Sequence, residues 1–143
     1  MNERFGTIVL DTAFRFMVPF IILYGVYVLI NGESSPGGGF QAGALFAIAV
    51  ILSRLVHGEK AVFNISGNTA LILAGIGTFV YGFVGVLTLM YGGNFLEYGV
   101  FPMDILITEK HALGILGIET GVTICVMSTF ITIFDALVGE EDS

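Results

Sequence analysis

The sequence predicts an all-α membrane protein with four transmembrane helices. Three observations carry that reading. Hydrophobic residues make up 55% of the 143-residue chain and charged residues only 12%, far outside the composition of a water-soluble domain. Four apolar stretches, roughly residues 11–30, 38–56, 69–91 and 111–137, each come close to the ~20 residues a helix needs to cross a bilayer. The charges are segregated. The five cations (Arg4, Arg15, Arg54, Lys60, Lys110) and all twelve acids except Glu119 fall in connections, in the tail or near the ends of apolar stretches. Residues 1–143 therefore read as one four-helix transmembrane domain.

The first stretch opens with Asp11 and Arg15, four apart on one helical face, where an ion pair is expected. Pro19, a turn into the apolar part, is a candidate kink. The stretch starts too late for a secretory signal and lacks a small-x-small cleavage site, so it is taken as retained. The hairpin Asn31–Pro36 is short, which makes the first two helices antiparallel neighbours. A polar connection, His57 to Asn68, leads to the third helix. The longest connection, Gly92 to Lys110, holds Gly92, Gly93, Gly99 and Pro102, and reads as an ordered loop with a turn near Asn94–Val100.

Counting Lys and Arg orients the bundle. Arg4, Arg15, Arg54 and Lys60 share the side of both termini, against Lys110 alone on the other. The positive-inside rule then places both termini in the cytoplasm of a multi-pass cell-membrane protein. The Gly-rich hairpin and the Gly92–Lys110 loop face outward. A net charge of −7 argues against nucleic acid and against a basic patch for anionic lipid. Cys125 is the single cysteine, so no intramolecular disulfide forms. No metal-ligand spacing, cofactor motif or nucleophile–base arrangement is visible, and no catalytic chemistry is expected.

Glu119 is the residue that stands apart. It lies within the fourth apolar stretch, between Ile118 and Val122, and an acid inside the membrane is a functional hypothesis by default. Low dielectric penalises the charged form of a carboxyl group, which suits a proton or sodium relay. The alternative is a hydrogen-bonded acid that only holds two helices together. Gln41, Thr78, Thr88 and Arg15 are candidate partners on other helices. Glu119, His111 and Gln41 are the ion-path candidates, His111 because an imidazole at the membrane surface exchanges protons near neutral pH. Small residues mark packing faces: Gly39, Gly43 and Ala47 on the second helix, Gly117 and Gly121 on the fourth. At ~100° per residue, Glu119 points about 200° away from Gly117 and Gly121. A terminal helix with two such faces calls for cover on both sides, and so for neighbouring subunits.

The run Pro36-Gly37-Gly38-Gly39 opens the second helix. It is no phosphate loop, because no Lys-Ser/Thr follows and no strand precedes it. What remains is a tight turn, or a backbone packed closely on a neighbour, and the run reads as a docking edge against another subunit.

Several segments resemble the MnhB family. They are Phe14-Arg15-Phe16, Pro19-Phe20, Leu23 to Tyr27, Asn31-Gly32, Ser35 to Gly43, Gly92 to Phe95 and Gly114 to Val122. The family comprises the MnhB/MrpB subunits of the Mrp multisubunit sodium/proton antiporter, with relatives in archaeal membrane-bound hydrogenase and sulfur-reducing complexes. The resemblance implies a four-helix accessory subunit, with other hydrophobic subunits as partners and Na⁺ and H⁺ as the ions the complex carries. It makes Glu119, in its Gly-Ile-Glu-Thr-Gly setting, a stronger candidate. Competing readings are a structural subunit in a redox-driven relative, and a self-sufficient four-helix transporter coupled through Glu119.

Overall fold

The computed structural model describes residues 8–32, 38–57, 65–100, 102, 104 and 106–141. Four helices form: α1 (Ile8–Ile30), α2 (Gly39–His57), α3 (Gly67–Met90) and α4 (Ile107–Glu141), with a single 3-10 turn at Tyr98–Val100 among the described residues. All four are long and apolar enough to cross a membrane. The Asp11–Arg15 ion pair forms at 3.2 Å. Pro19 does not end α1. Transmembrane helices tolerate proline because side chains and neighbours satisfy the freed backbone groups.

The helices lie in the spatial order α1, α2, α4, α3, so α4 packs between α2 and α3. Gly39 of α2 meets Glu119 and Val122, Gly43 meets Thr123 and Val126, and Arg54 meets Asp135, so α2 and α4 run parallel. Gly67 meets Asp135 and Gly77 meets Gly121 and Cys125, so α3 runs antiparallel to α4. The two-sided cover expected of neighbouring subunits is supplied inside the chain. The Gly121 face takes α3, and the Glu119 side takes the α1–α2 hairpin. The described part of the glycine edge, Gly38, Gly39 and Gly43, likewise docks on α4 of the same chain rather than presenting a free surface. Pro36 and Gly37 lie outside the described residues.

Backbone contact is close along both seams. A Cβ on Gly77 would stand 2.7 Å from Gly121 O and Cys125 N, and one on Gly43 would stand 2.8 Å from Thr123 O. By contrast, Cβ atoms on Gly75 and Gly82, on the outer side of α3, would meet open space. A small buried cluster of Ala47, Val50, Ala70 and Ile131 joins α2, α3 and α4.

That end of the bundle is closed by a clamp. Arg54 donates from Nη2 to Asp135 Oδ1 at 2.8 Å and from Nη1 to the Ile65 carbonyl at 3.3 Å. The Gly67 N–H donates to Asp135 Oδ2 at 3.1 Å. The arginine also lies 5.6 Å from the centre of the Phe134 ring. One carboxylate thus meets a guanidinium and the Gly67 N–H, which has no partner within α3 itself. Ser66 adds an N-cap, its hydroxyl accepting the Thr69 N–H.

The far end is built differently. Gly92 (φ +84°) carries the chain out of α3, a conformation glycine adopts without strain. The buried Thr88 hydroxyl then accepts the Leu96 N–H at 2.8 Å, and Phe95 covers Gly85. The long connection is therefore ordered over residues 91–100, as expected. Its turn lies at Tyr98–Val100, within the Asn94–Val100 stretch.

The seams and the clamp each set an expected stability change. In detergent-solubilised protein, Gly77→Ala lowers stability by about 1–3 kcal/mol through overpacking, whereas Gly75→Ala leaves it unchanged or raises it by up to about 1 kcal/mol through helix propensity. Thermal unfolding of both variants checks this, and equal effects would place the α3–α4 seam elsewhere. A double-mutant cycle of Arg54→Met and Asp135→Asn gives a coupling of about 1 kcal/mol, a modest value because both side chains are partly exposed.

Candidate functional site

Glu119 sits about three turns into α4, since the helix begins at Ile107, earlier than the sequence indicated. It is partly buried. Along α4 it lies about 24 Å from Asp135, against ~30 Å for a bilayer's hydrocarbon core. With the Arg54–Asp135 clamp marking one boundary, the acid lies toward the hairpin end.

The α1–α2 hairpin comes down onto the acid at this level. A Cβ on Gly32 would overlap Glu119 Oε2. One on Gly38 would stand 2.5 Å from Oε1, and one on Gly39 would stand 2.6 Å from the Glu119 carbonyl oxygen. Gly38 has φ +102°, so glycine is required there for the backbone as well as for the space. Gly32 and Gly38 thus form a cradle that holds the carboxyl group against bare backbone, while Gly39 brings α2 onto the Glu119 backbone. Thr123, one turn further along α4, fixes the seam below. Its hydroxyl shares its proton between the Glu119 carbonyl at 2.6 Å and the Gly39 carbonyl at 3.1 Å. None of the hydrogen bonds or ion pairs described reaches the Glu119 carboxylate.

The partners proposed from sequence are engaged elsewhere. Arg15 pairs with Asp11. The Thr78 hydroxyl donates to Ala74 O at 2.9 Å and lies 3.6 Å from Cys125 Sγ. Thr88 donates to Gly85 O. Gln41 is exposed and, two residues past Gly39, points about 200° away from the side of α2 that faces α4. His111 lies near the start of α4, exposed, beside the 3-10 turn. Gly121 is committed to α3, and Gly117 touches only Val84, at 3.4 Å from where its Cβ would be.

Tyr98 is the neighbour that sequence reasoning missed. Its ring lies against Gly114, close enough that any side chain there would overlap it. Its edge meets the His111 ring at 6.1 Å between centroids and 83° between planes. Burial first, then the neighbouring Tyr81 and Glu119, hold the Tyr98 phenol above its ordinary range. The one sequence signal for this contact was Gly114, a small residue three places after His111. Asp135 was also passed over, because it lies close enough to the end of its stretch to read as a boundary charge. Among the described residues, no group of His, Cys, Asp and Glu could hold a metal ion.

The fold and the setting of Glu119 define a multi-pass helical membrane protein with an acid held in a glycine cradle, and comparison with known proteins gives its family. Residues 9–132 match the domain related to the MnhB subunit of Na⁺/H⁺ antiporter, and the chain belongs to that family. It is 28% identical to the B-type Na⁺/H⁺ antiporter subunit of Bacillus subtilis (strain 168), over 99% of this chain and 100% of that one. It is 29% identical to the putative antiporter subunit mnhB2 of Staphylococcus haemolyticus (strain JCSC1435), over 92% and 94%. Among solved structures it is similar to a chain of the membrane-bound sulfane sulfur reductase, an archaeal respiratory membrane complex, with TM-score 0.70 and 28% identity. That match covers 96% of this chain and 60% of the solved one, so the present chain spans about three-fifths of that relative's length.

The cradle can be tested chemically. Hydrophobic carbodiimides label carboxyl groups within membranes, and Glu119→Gln should remove a labelled site from α4. Gly32→Ala should raise labelling of Glu119 several-fold by pushing the carboxyl group off the hairpin. Unchanged labelling of Gly32→Ala would show that the acid does not rest on that turn.

Proposed function

We propose that this chain is an accessory membrane subunit of a multisubunit sodium/proton antiporter complex, and that Glu119 contributes to the ion path. Family membership supports the first part, because related subunits bear antiporter names. The second rests on one observation: the Glu119 carboxyl lies against Gly32 and Gly38, where any side chain would collide with it. A carboxyl group set against backbone, partly accessible and within a membrane helix, suits the binding and release of a proton or small cation. Charge asymmetry supports a hairpin end on the outer side of the membrane, and Glu119 would then exchange ions nearer that face.

The similarity to a chain of a respiratory sulfur-reducing complex favours a second reading. There the subunit would serve a redox-driven assembly and contribute mainly to its structure. Both readings require other hydrophobic subunits, and both set aside a self-sufficient transporter.

In vesicles carrying the assembled complex, Glu119→Gln should lower sodium/proton exchange at least about tenfold, the scale of losing a positioned proton-transfer group, without loss of subunits on purification. Normal exchange by an intact complex would reduce Glu119 to a packing residue. A chain that purified as a discrete homodimer active by itself would remove the complex from the account.

A further inference from the structure

The hairpin meets Glu119 on one side, and Tyr98 and His111 lie at levels between Glu119 and the end of the bundle. Tyr98 lies over Gly114, between the level of Glu119 and that of His111. His111 and Glu119 are about 12 Å apart along α4 and about 80° apart around it, so they share one side of the helix. The His111 ring rests against the 3-10 turn, its Nε2 3.6 Å from where a Gly99 Cβ would stand, and it is exposed. Tyr81 of α3 lies near the same phenol. Gly114 is what lets this happen, since any Cβ there would overlap Tyr98.

We infer that Tyr98 and His111 extend the Glu119 site into a proton path to the hairpin-end surface, with the Tyr98 hydroxyl as its middle step. This inference rests on the reading of Glu119 given above. The proton leaves the protonated Glu119 carboxyl and reaches, through water, a lone pair of the Tyr98 hydroxyl. That hydroxyl releases its own proton toward His111 in the same passage. One proton moves, Glu119 is left as carboxylate, and tyrosine begins and ends neutral. The exposed His111 imidazole passes the proton to bulk water. A phenol kept neutral by burial and by the neighbouring Tyr81 and Glu119 suits such a hop better than one that ionises. Among the described residues, the charged and titratable groups near Tyr98 include Tyr81 from α3, His111 and Glu119 from α4, and Glu97 beside it in the turn, whose carboxylate accepts the Asn94 N–H.

Tyr98→Phe keeps the ring on Gly114 and removes only the hydroxyl. In vesicles with the assembled complex, it should lower sodium-driven proton movement at least about tenfold and change the dependence of rate on pH. His111→Ala should slow exchange, and imidazole added to the medium should restore it, which a purely structural histidine would not allow. Wild-type rate and pH profile in Tyr98→Phe, with Glu119→Gln impaired in the same vesicles, would overturn the path and leave the Glu119 reading standing. Wild-type exchange in Glu119→Gln would overturn both. If Tyr98→Phe did not assemble, His111→Ala would decide: imidazole-restored exchange supports the path, while undiminished exchange or an unrestored loss overturns it.

Discussion

Side-chain-free contact between backbones, along both flanks of α4, is the constraint from which the other features follow. In lipid there is little hydrophobic gain from bringing one apolar helix to another, so close packing and polar contacts must hold the bundle. Gly77 against Gly121 draws α3 in on one flank, and Gly39 and Gly43 against α4 draw α2 in on the other. Each seam is pinned by a few hydrogen bonds. Thr123 ties α4 to the start of α2, and Asp135 ties it to Arg54 and to the first turn of α3. With both ends of α2 held, its register against α4 is set, and so is the height at which the α1–α2 turn meets Glu119.

This explains how one glycine run serves two purposes. Gly39 and Gly43 act as packing residues, letting α2 approach α4. Gly38 and Gly32 act one step away, where the turn must accommodate a carboxyl group and, at Gly38, a backbone angle other residues adopt only with strain. The run is therefore part of the acid's surroundings. The expectation of a separate docking edge arose because sequence order places Glu119 far from residue 38, while the parallel packing of α2 on α4 brings them together.

Much of the fold was legible from apolar length and charge position alone. Four stretches near ~20 residues, with charges at their ends, leave a bilayer-spanning chain almost no other choice. The Asp11–Arg15 pair was legible because it is local, four residues apart. The Arg54–Asp135 clamp was not, because its partners lie on different helices and only packing brings them into contact. Tyr98 was hidden for the same reason. It lies in a connection whose path depends on Gly92, on Thr88 capturing the Leu96 N–H, and on Gly114 offering a bare patch of helix.

The sequence by itself determined that the chain crosses the membrane four times, that small residues would bring its helices close, and that Glu119 is the acid to explain. Each of these is a property of one segment's composition or period. Which helix lies beside which was decided only by the tertiary structure. Gly121 could have faced any neighbour, and Glu119 could have paired with Gln41, Thr78, Thr88 or Arg15. The order α1, α2, α4, α3 gives the glycine face of α4 to α3 and its acid to the hairpin. It does so because one helix comes down on another's backbone only where a side chain is missing at that height, as at Gly39 and Gly43 on α2 and at Gly77 against Gly121, a coincidence between distant segments that no single stretch of sequence contains.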